Sequence, residues 1–558
     1  MQDLYTSAGE NLSGIPWNAY PRPQMARKDW LCLNGTWDFA CGETRGQITV
    51  PFCPESLLSG LHLRMEYGRE MVYSRRFTLP EGWKGKRILL HFGAVSRIAV
   101  VCVNGKEAAR HGESYFPFSA DITDLVRDGE NELTVIAAND LSHRYPWGKQ
   151  KEQRGGMWYT PVSGIWQTVW LEPVPETYIR SLAIETGKGF ARVTAEGAGD
   201  GEAELEGKVY PLSGGTARIE IPDPEYWTPE NPRLYRFTVT AGGDRVESYF
   251  ALRILSVERV DGKPRLCLNG KPYFFHGLLD QGYWSDGLYT PASPSGYEED
   301  IRAMKALGFN MLRKHIKIEP EQFYYDCDRL GMVVFQDMVN CGEYRFFRDT
   351  ILPTAGVRSR NDARLNRDPA ARENFLRAMD ETVRLLRNHP CVCLWTIFNE
   401  GWGQFRADDA YRRLKALDDT RFVDSTSGWF ARKESDVESL HIYFGSLKTG
   451  KKDRPQFLSE FGGWSLKIPE HSFNLEKTYG YKKYKNREDF VRDLRQLYLE
   501  QILPMIRQGL CAAVYTQVSD VEDETNGLLT FDRKAAKVEP GEFRDVSEKL
   551  ARALDEES

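Results

Sequence analysis

Up to about residue 256 the apolar positions fall in short runs, each the length of a β-strand. Arg87 to Ala94, Ile98 to Val103, Glu132 to Ala138 and Gln167 to Glu172 are Val-, Ile- and Leu-rich, and Gly, Asn, Asp or Pro breaks each one. Asn34-Gly35 and Asn104-Gly105 sit between such runs and predict hairpin turns. Helical periodicity is absent here, which favours antiparallel sandwiches. A break at Pro173-Val174-Pro175 divides the region into a large sandwich, residues 1–175, and a smaller one, residues 176–256, with room for about seven short strands.

From Lys271 the pattern becomes strand, loop, helix, repeated. It predicts strands at Pro272–Gly277, Asn310–Lys314, Val333–Asp337, Val392–Asn399, Phe422–Ser425, Leu440–Tyr443, Gln456–Glu460 and Ala512–Gln517. The clearest helix runs from Pro369 to Asn388. Asp368 is its N-cap, and Phe375, Met379, Val383 and Leu386 form one apolar stripe. Eight strands within residues 257–558 fit a (β/α)8 barrel, whose chemistry sits at the carboxyl ends of the strands.

Composition narrows the function. The 558 residues, 41% hydrophobic with mean hydropathy −0.51, describe a soluble globular chain. Net charge is −6 from 74 basic and 80 acidic residues spread evenly, so neither a nucleic-acid nor a membrane footprint is expected. No secretory signal is visible at the amino terminus, and Cys102, Cys267, Cys391 and Cys393 lie inside apolar strands without metal-ligand spacing. These features read as a cytoplasmic protein with reduced cysteines, although a chain whose leader had been removed would read the same. Dinucleotide, Walker, serine-hydrolase and zincin motifs are absent, and neither cofactor nor metal is expected.

Two segments stand out. Trp395-Thr396-Ile397-Phe398-Asn399-Glu400-Gly401-Trp402 and Gln456-Phe457-Leu458-Ser459-Glu460-Phe461-Gly462-Gly463 each end a β-like run in a glutamate beside aromatic rings. A carboxylate at a buried strand tip is costly unless a charged or protic group meets it. Two of them at the mouth of one barrel suit glycosidic cleavage, in which one carboxyl protonates the leaving oxygen and the other meets an oxocarbenium-like centre.

These segments, with Gly164-Ile165-Trp166-Gln167 and Trp170 at the end of the first sandwich and His389-Pro390 ahead of Trp395, resemble glycoside hydrolase family 2, the group of β-galactosidases, β-glucuronidases and β-mannosidases. The resemblance spans nearly the whole chain and implies a jelly-roll, an immunoglobulin-like sandwich and a catalytic barrel. It makes Glu400 the general acid/base and Glu460 the nucleophile of a retaining double displacement. An ionised Glu460 about 5 Å away would keep the proton on Glu400 until the glycosyl ester forms and that charge vanishes.

By the same resemblance, Asn399 bonds the sugar 2-hydroxyl, Tyr443 holds the nucleophile, Arg313 supports its carboxylate, and His315 contacts hydroxyls. Their structural alternatives are an Asx turn for Asn399, a strand-end aromatic for Tyr443 and a satisfied core histidine for His315. An arginine inside a barrel strand needs an acid, and Glu460 or Asp337 could supply it; Asp337 could equally bind hydroxyls itself. In the loop after the first barrel strand, Asp280, Gln281 and Trp284 offer acceptors and a stacking face for a pyranose, and Trp402 offers another. Asp280 is the leading candidate for substrate selection, with loop capping as its alternative.

Two departures bear on the substrate. The Asn-Arg-His-Glu motif of the large β-galactosidases is missing from the first barrel strand, which counts against lactase activity and its magnesium site. The Asn-x-Lys motif of β-glucuronidases is also missing, with Asn526-Gly527-Leu528 near the barrel's end. The loop from Gly463 to about Asn486, with Lys477, Tyr479, Tyr481, Lys482, Lys483 and Lys485, reads first as a solvated mobile charge run and second as a cover for the site. Cys341 to Arg367 is a candidate wall. The resulting expectation is a retaining exo-β-glycosidase of β-galactosidase type acting on a carbohydrate, with a homo-oligomer as an option the sandwiches offer. β-Glucuronide, β-galacturonide and α-L-arabinopyranoside substrates stay open, and a carbohydrate-binding protein is the non-enzymatic alternative.

Overall fold

A computed structural model describes residues 1–354, 356–357, 361–450 and 453–554. The first sandwich packs a six-stranded antiparallel sheet on a four-stranded one. Trp37, Tyr73, Phe92 and Val135 lie at the centre of its core. Asn104-Gly105 is the predicted two-residue turn, joining Ala99–Val103 to Lys106–His111 with both residues in the left-handed region. Asn34-Gly35 is not a hairpin. Leu31–Cys32 pairs with Val169–Val174 in the smaller sheet, whereas Gly35–Cys41 joins the larger. The Asn34 side chain ties this corner down, accepting from Val169 N at 3.0 Å and donating to Thr168 Oγ1 at 3.2 Å.

The second sandwich has three strands against four, around Val193, Ile219, Phe237 and Val239. The barrel strands are β1 Phe275–Asp280, β2 Met311–Lys314, β3 Val333–Asp337, β4 Val392–Asn399, β5 Phe422–Ser427, β6 Glu438–Ile442, β7 Gln456–Gly462 and β8 Leu510–Thr516. All are parallel, and hydrogen bonds link them in the order β5-β4-β3-β2-β1-β8-β7-β6. The seam between β5 and β6 has no ladder among the described residues. Asp436 N donates to Val423 O there at 2.9 Å, and His441 meets Ser427. Between β3 and β4 runs the helix Pro369–Leu386, capped by Asp368, which accepts from Ala370 N at 3.0 Å. Its stripe of Phe375, Met379, Val383 and Leu386 is buried, as its periodicity requires.

One irregular segment matters for the site. After Glu130–Ala137 the first sandwich sends residues 139–163 across the barrel mouth. Trp147 donates through its backbone to Asn340 O at 3.2 Å and through Nε1 to Gly342 O at 3.1 Å, and Thr160 N donates to Glu522 at 2.9 Å. Among the described residues no helix is long and apolar enough to cross a membrane.

Candidate active site

Glu400 directly follows β4. Its φ of +51° is unusual for a side-chain-bearing residue and costs on the order of 1–3 kcal/mol. The turn is held by Glu400 N donating to Ser427 O at 2.9 Å and Trp402 N to Asn399 O at 2.8 Å. Gly403 completes it, because a Cβ there would come within 1.9 Å of Cys341 O. The reversal lifts Glu400 off the strand line and into the barrel mouth. Glu460 reaches the same place differently. It lies within β7, where pairing with β8 slips between Leu458 and Phe461 and pairing with β6 slips at His441. Such bulges re-aim side chains beside sites.

The two glutamates converge. One carboxylate oxygen of each and one ring nitrogen of His441 all lie within 4.8 Å of one another. His441 Nδ1 is 2.9 Å from Glu400 Oε1, and its Nε2 is 2.9 Å from Ser427 Oγ. Both ring nitrogens therefore have partners already, which argues against reading this trio as a metal centre.

The surroundings of the glutamates differ. Glu460 is 4% exposed. Its Oε1 accepts from Arg313 Nη1 at 3.0 Å and its Oε2 from the Tyr443 hydroxyl. Burial alone would raise its pKa, but His441, Arg313, His315 and the Tyr443 hydrogen bond outweigh burial and bring it down to about 2. Tyr443 itself, pushed far up by burial and then by Glu460, stays protonated and donates. Arg313 is fully buried. It grips Asp337 with two bonds of 2.9 and 3.0 Å and also donates to Asn399 Oδ1 at 2.9 Å. Asp337 lies 2.8 Å from His315 Nδ1 as well. Burial takes the His315 pKa down to about 4, so the ring is neutral near pH 7. With Nδ1–H donated to Asp337, its Nε2 is an acceptor.

A cavity at the barrel mouth gathers these groups. Seven of the predicted residues line it: Glu400, Glu460, Asn399, Tyr443, His315, Gln281 and Trp402. Arg313 and Asp337 lie behind the lining and position Glu460, Asn399 and His315. Asp280 and Trp284 are not brought to the cavity. Asp280 bonds Lys314 Nζ at 2.6 Å and Gly282 N at 2.9 Å, so it caps the loop. Trp284 is core, packed edge-on to Tyr297 beneath the Arg533 guanidinium.

The geometry adds His441, Lys149 and Glu524 to the residues the sequence offers, and it decides between the two readings of the Gly463–Asn486 loop. His441 lies inside the predicted strand Leu440–Tyr443, where nothing in the sequence sets it apart. Tyr479 and Tyr481 roof the cavity, with Tyr481 stacked on Tyr443 at 4.0 Å. The lysines around them, Lys477, Lys482, Lys483 and Lys485, face solvent. The loop is thus a cover through its tyrosines and a solvated run through its lysines. Its backbone is tied down by Tyr479 N donating to Asp523 O at 2.7 Å and Tyr481 N to Gly463 O at 2.9 Å, so the expected mobility finds no support there. Tyr344 of the Cys341–Arg367 loop packs edge-on to Trp402, 5.2 Å away, while residues 355 and 358–360 of that loop lie outside the described residues. Glu524 and Asn526 come from the segment after β8, and Lys149 comes from the sandwich. Nothing local in the sequence marks Lys149, because only the fold carries residues 139–163 to the barrel.

Comparison with known proteins agrees with this layout. Three family models match in chain order: the family 2 glycosyl hydrolase sugar-binding domain over residues 63–175, the family 2 glycosyl hydrolase domain over 181–253, and the family 2 TIM barrel domain over 259–467. A β-glucuronidase of Felis catus is 27% identical over 476 residues, covering 72% of this chain and 69% of that protein. Among solved structures, a β-D-glucuronidase of Dictyoglomus thermophilum superposes with TM-score 0.73 at 18% identity, covering 96% and 98% of the two chains. A family 2 β-galacturonidase of Eisenbergiella tayi, bound to galacturonate, superposes with TM-score 0.68 at 20% identity, covering 95% and 99%. At such identities the structural likeness speaks for the fold alone. On the matched family models, this chain belongs to glycoside hydrolase family 2 and is an O-glycosyl hydrolase built as a jelly-roll, an immunoglobulin-like sandwich and a (β/α)8 barrel.

Proposed function

We propose that the chain is a retaining exo-β-glycosidase that releases a terminal hexuronic acid from β-glycosides. The observation that carries the retaining reading is the separation of Glu400 and Glu460, whose nearest oxygens lie within 4.8 Å. Retaining enzymes keep their carboxyl groups about 5–5.5 Å apart, whereas inverting enzymes need roughly 6.5–9.5 Å to admit a water. In the first step a Glu460 oxygen bonds to the anomeric carbon while the Glu400 proton passes to the leaving oxygen. In the second, Glu400 takes a proton from water, the water oxygen bonds to that carbon, and Glu460 leaves as carboxylate. Arg313 and the Tyr443 hydroxyl keep Glu460 ionised for attack. His441 Nδ1 lies 2.9 Å from Glu400 Oε1 and its Nε2 2.9 Å from Ser427 Oγ, so the acid has a partner while it waits. Asn399 spends its carbonyl oxygen on Arg313, leaving its amide nitrogen for a sugar hydroxyl.

The relatives' names support a hexuronide over the β-galactoside or α-L-arabinopyranoside that the sequence also allowed. A panel of nitrophenyl β-glycosides tests the sugar, and NMR of the first-released anomer tests retention. Glu400→Gln should lose most activity on substrates with poor leaving groups and much less on activated ones. An α-configured first product, or equal losses on both substrate types, would refute the assignment.

A further inference from the structure

Four lysines of the described chain are buried: Lys149, Lys314, Lys317 and Lys537. Three have a carboxylate at contact distance. Lys314 meets Asp280 at 2.6 Å, Lys317 meets Glu319 at 2.8 Å and Lys537 meets Asp520 at 2.5 Å. Lys149, 8% exposed, has no ion-pair partner among the described residues and lines the catalytic cavity. An ammonium taken out of bulk water without a counter-charge is costly, and proteins seldom keep one unless something else supplies the charge.

Resting on the hexuronide reading above, we propose that Lys149 is that substrate's carboxylate receptor, supplied to the barrel by the first sandwich.

The loop around Lys149 holds it firmly. Gly148 has φ +68°, and a Cβ there would come within 2.8 Å of the Tyr115 hydroxyl and 3.1 Å of the Tyr289 hydroxyl. Lys149 O accepts from Tyr159 N at 3.0 Å. Next to it, Gln150 accepts from Val162 N at 2.6 Å and donates to the Tyr115 hydroxyl at 3.1 Å. The ammonium is thus presented by a frame set before any ligand arrives, which lowers the cost of binding. Its nearest ring is Tyr159, 5.5 Å from the centroid. That ring's hydroxyl donates to Glu524 Oε2 at 2.8 Å, and Gln517 donates to the same oxygen at 2.9 Å. No carboxylate of the described residues lies within ion-pair distance of Lys149, and Glu524, which its charge reaches, already holds two donors. Glu524 and His315 are the groups whose ionisation feels Lys149. The ionisation of both also feels Glu460, so the cation sits with the nucleophile in the cavity.

The test compares a nitrophenyl β-hexuronide with the matching β-hexoside, which carries hydroxymethyl in place of carboxylate. In the wild type, kcat/KM should favour the hexuronide. In Lys149→Met the ratio of the two kcat/KM values should fall by about 100-fold, the scale of removing one partner of a desolvated charge pair, with most of the change in KM. Lys149→Arg should keep the ratio within roughly tenfold of wild type, and free hexuronic acid should inhibit Lys149→Met far less than wild type. Should the methionine variant not fold, Lys149→Gln reads the same ratio. A wild type that cleaves hexuronides, paired with an uncharged variant whose ratio and inhibition are unchanged, would overturn the role of Lys149 alone. A wild type inactive on every hexuronide would overturn the substrate reading and this inference with it.

Discussion

Arg313 and Lys314 are consecutive residues of β2, both essentially without solvent exposure and both holding two carboxylates. Their roles have nothing in common. Arg313 points into the barrel and binds Asp337 and Glu460. Lys314 points outward, between the strands and their covering helices, where it binds Asp280 and Glu319 and lies 4.2 Å from the centroid of the Phe323 ring. Strand side chains alternate faces, so one step along the chain separates the chemistry from the wall that supports it. The neighbouring strand repeats the rule. Leu279 and Gln281 line the cavity, while Asp280 between them turns outward to Lys314. A charged residue at the carboxyl end of a barrel strand is therefore no guide to catalysis until its parity is known.

The comparison breaks most directly by deleting each cation in turn. Arg313→Met should lower kcat/KM on a nitrophenyl glycoside by roughly 10³-fold, because Glu460 and Asn399 lose a donor that positions them for the transition state. Lys314→Met should leave kcat/KM within a few-fold and instead cost about 3–5 kcal/mol of stability, the usual penalty for stranding buried carboxylates. Turnover assays and denaturant melts on both variants would read this, and matching losses of turnover would erase the distinction.

Acidity sharpens it further. Glu460 is depressed to about 2, so the fold favours its ionised form. Its contribution to stability is complete above its ordinary value of about 4.3 and fades as pH falls from there to about 2. The same depression keeps the proposed nucleophile ionised on the acid side of the activity profile. In Arg313→Met the acid limb of kcat/KM should move up in pH, toward the ordinary carboxylate value. In Lys314→Met it should stay where the wild type has it. A profile of kcat/KM from pH 3 to 7 decides between them, and an unmoved limb in Arg313→Met would mean that His441 and Tyr443 hold Glu460 unaided.

Much of this was legible in the chain. The eight barrel strands announce themselves through apolar runs bounded by turn residues, and Asn399-Glu400 and Ser459-Glu460 stand out because carboxylates rarely follow buried runs, although β7 continues past Glu460 to Gly462. Where reading failed, the missing information was three-dimensional. Asn34-Gly35 has the composition of a hairpin, but its flanking strands belong to different sheets, a matter of long-range pairing. Asp280 was misread because a strand end at a loop does not reveal its parity. Lys149 was invisible for the opposite reason. Its neighbours Gly148 and Gln150 look like ordinary loop, and only the packing of residues 139–163 over the barrel gives that loop a site to serve.

The smallest expected effect is also the cleanest check on parity. Asp280→Asn keeps the shape of the side chain and its bond from Gly282 N, and removes one of the two charges held by Lys314. Glu319 still meets that ammonium at 2.8 Å, so the lysine is not stranded, and the loss of stability should be about 1–3 kcal/mol. Burial would raise the Asp280 pKa, yet Lys314 and the Gly282 amide hold it below the ordinary carboxylate range. The lost stability should therefore be greatest above about pH 4 and shrink in more acid solution, where the wild-type carboxyl is itself neutral. Selectivity across a nitrophenyl glycoside panel should not change, since the side chain never reaches the sugar. A changed ranking of substrates in this variant, with stability intact, would place Asp280 at the cavity after all and undo the contrast between the two faces of the barrel wall.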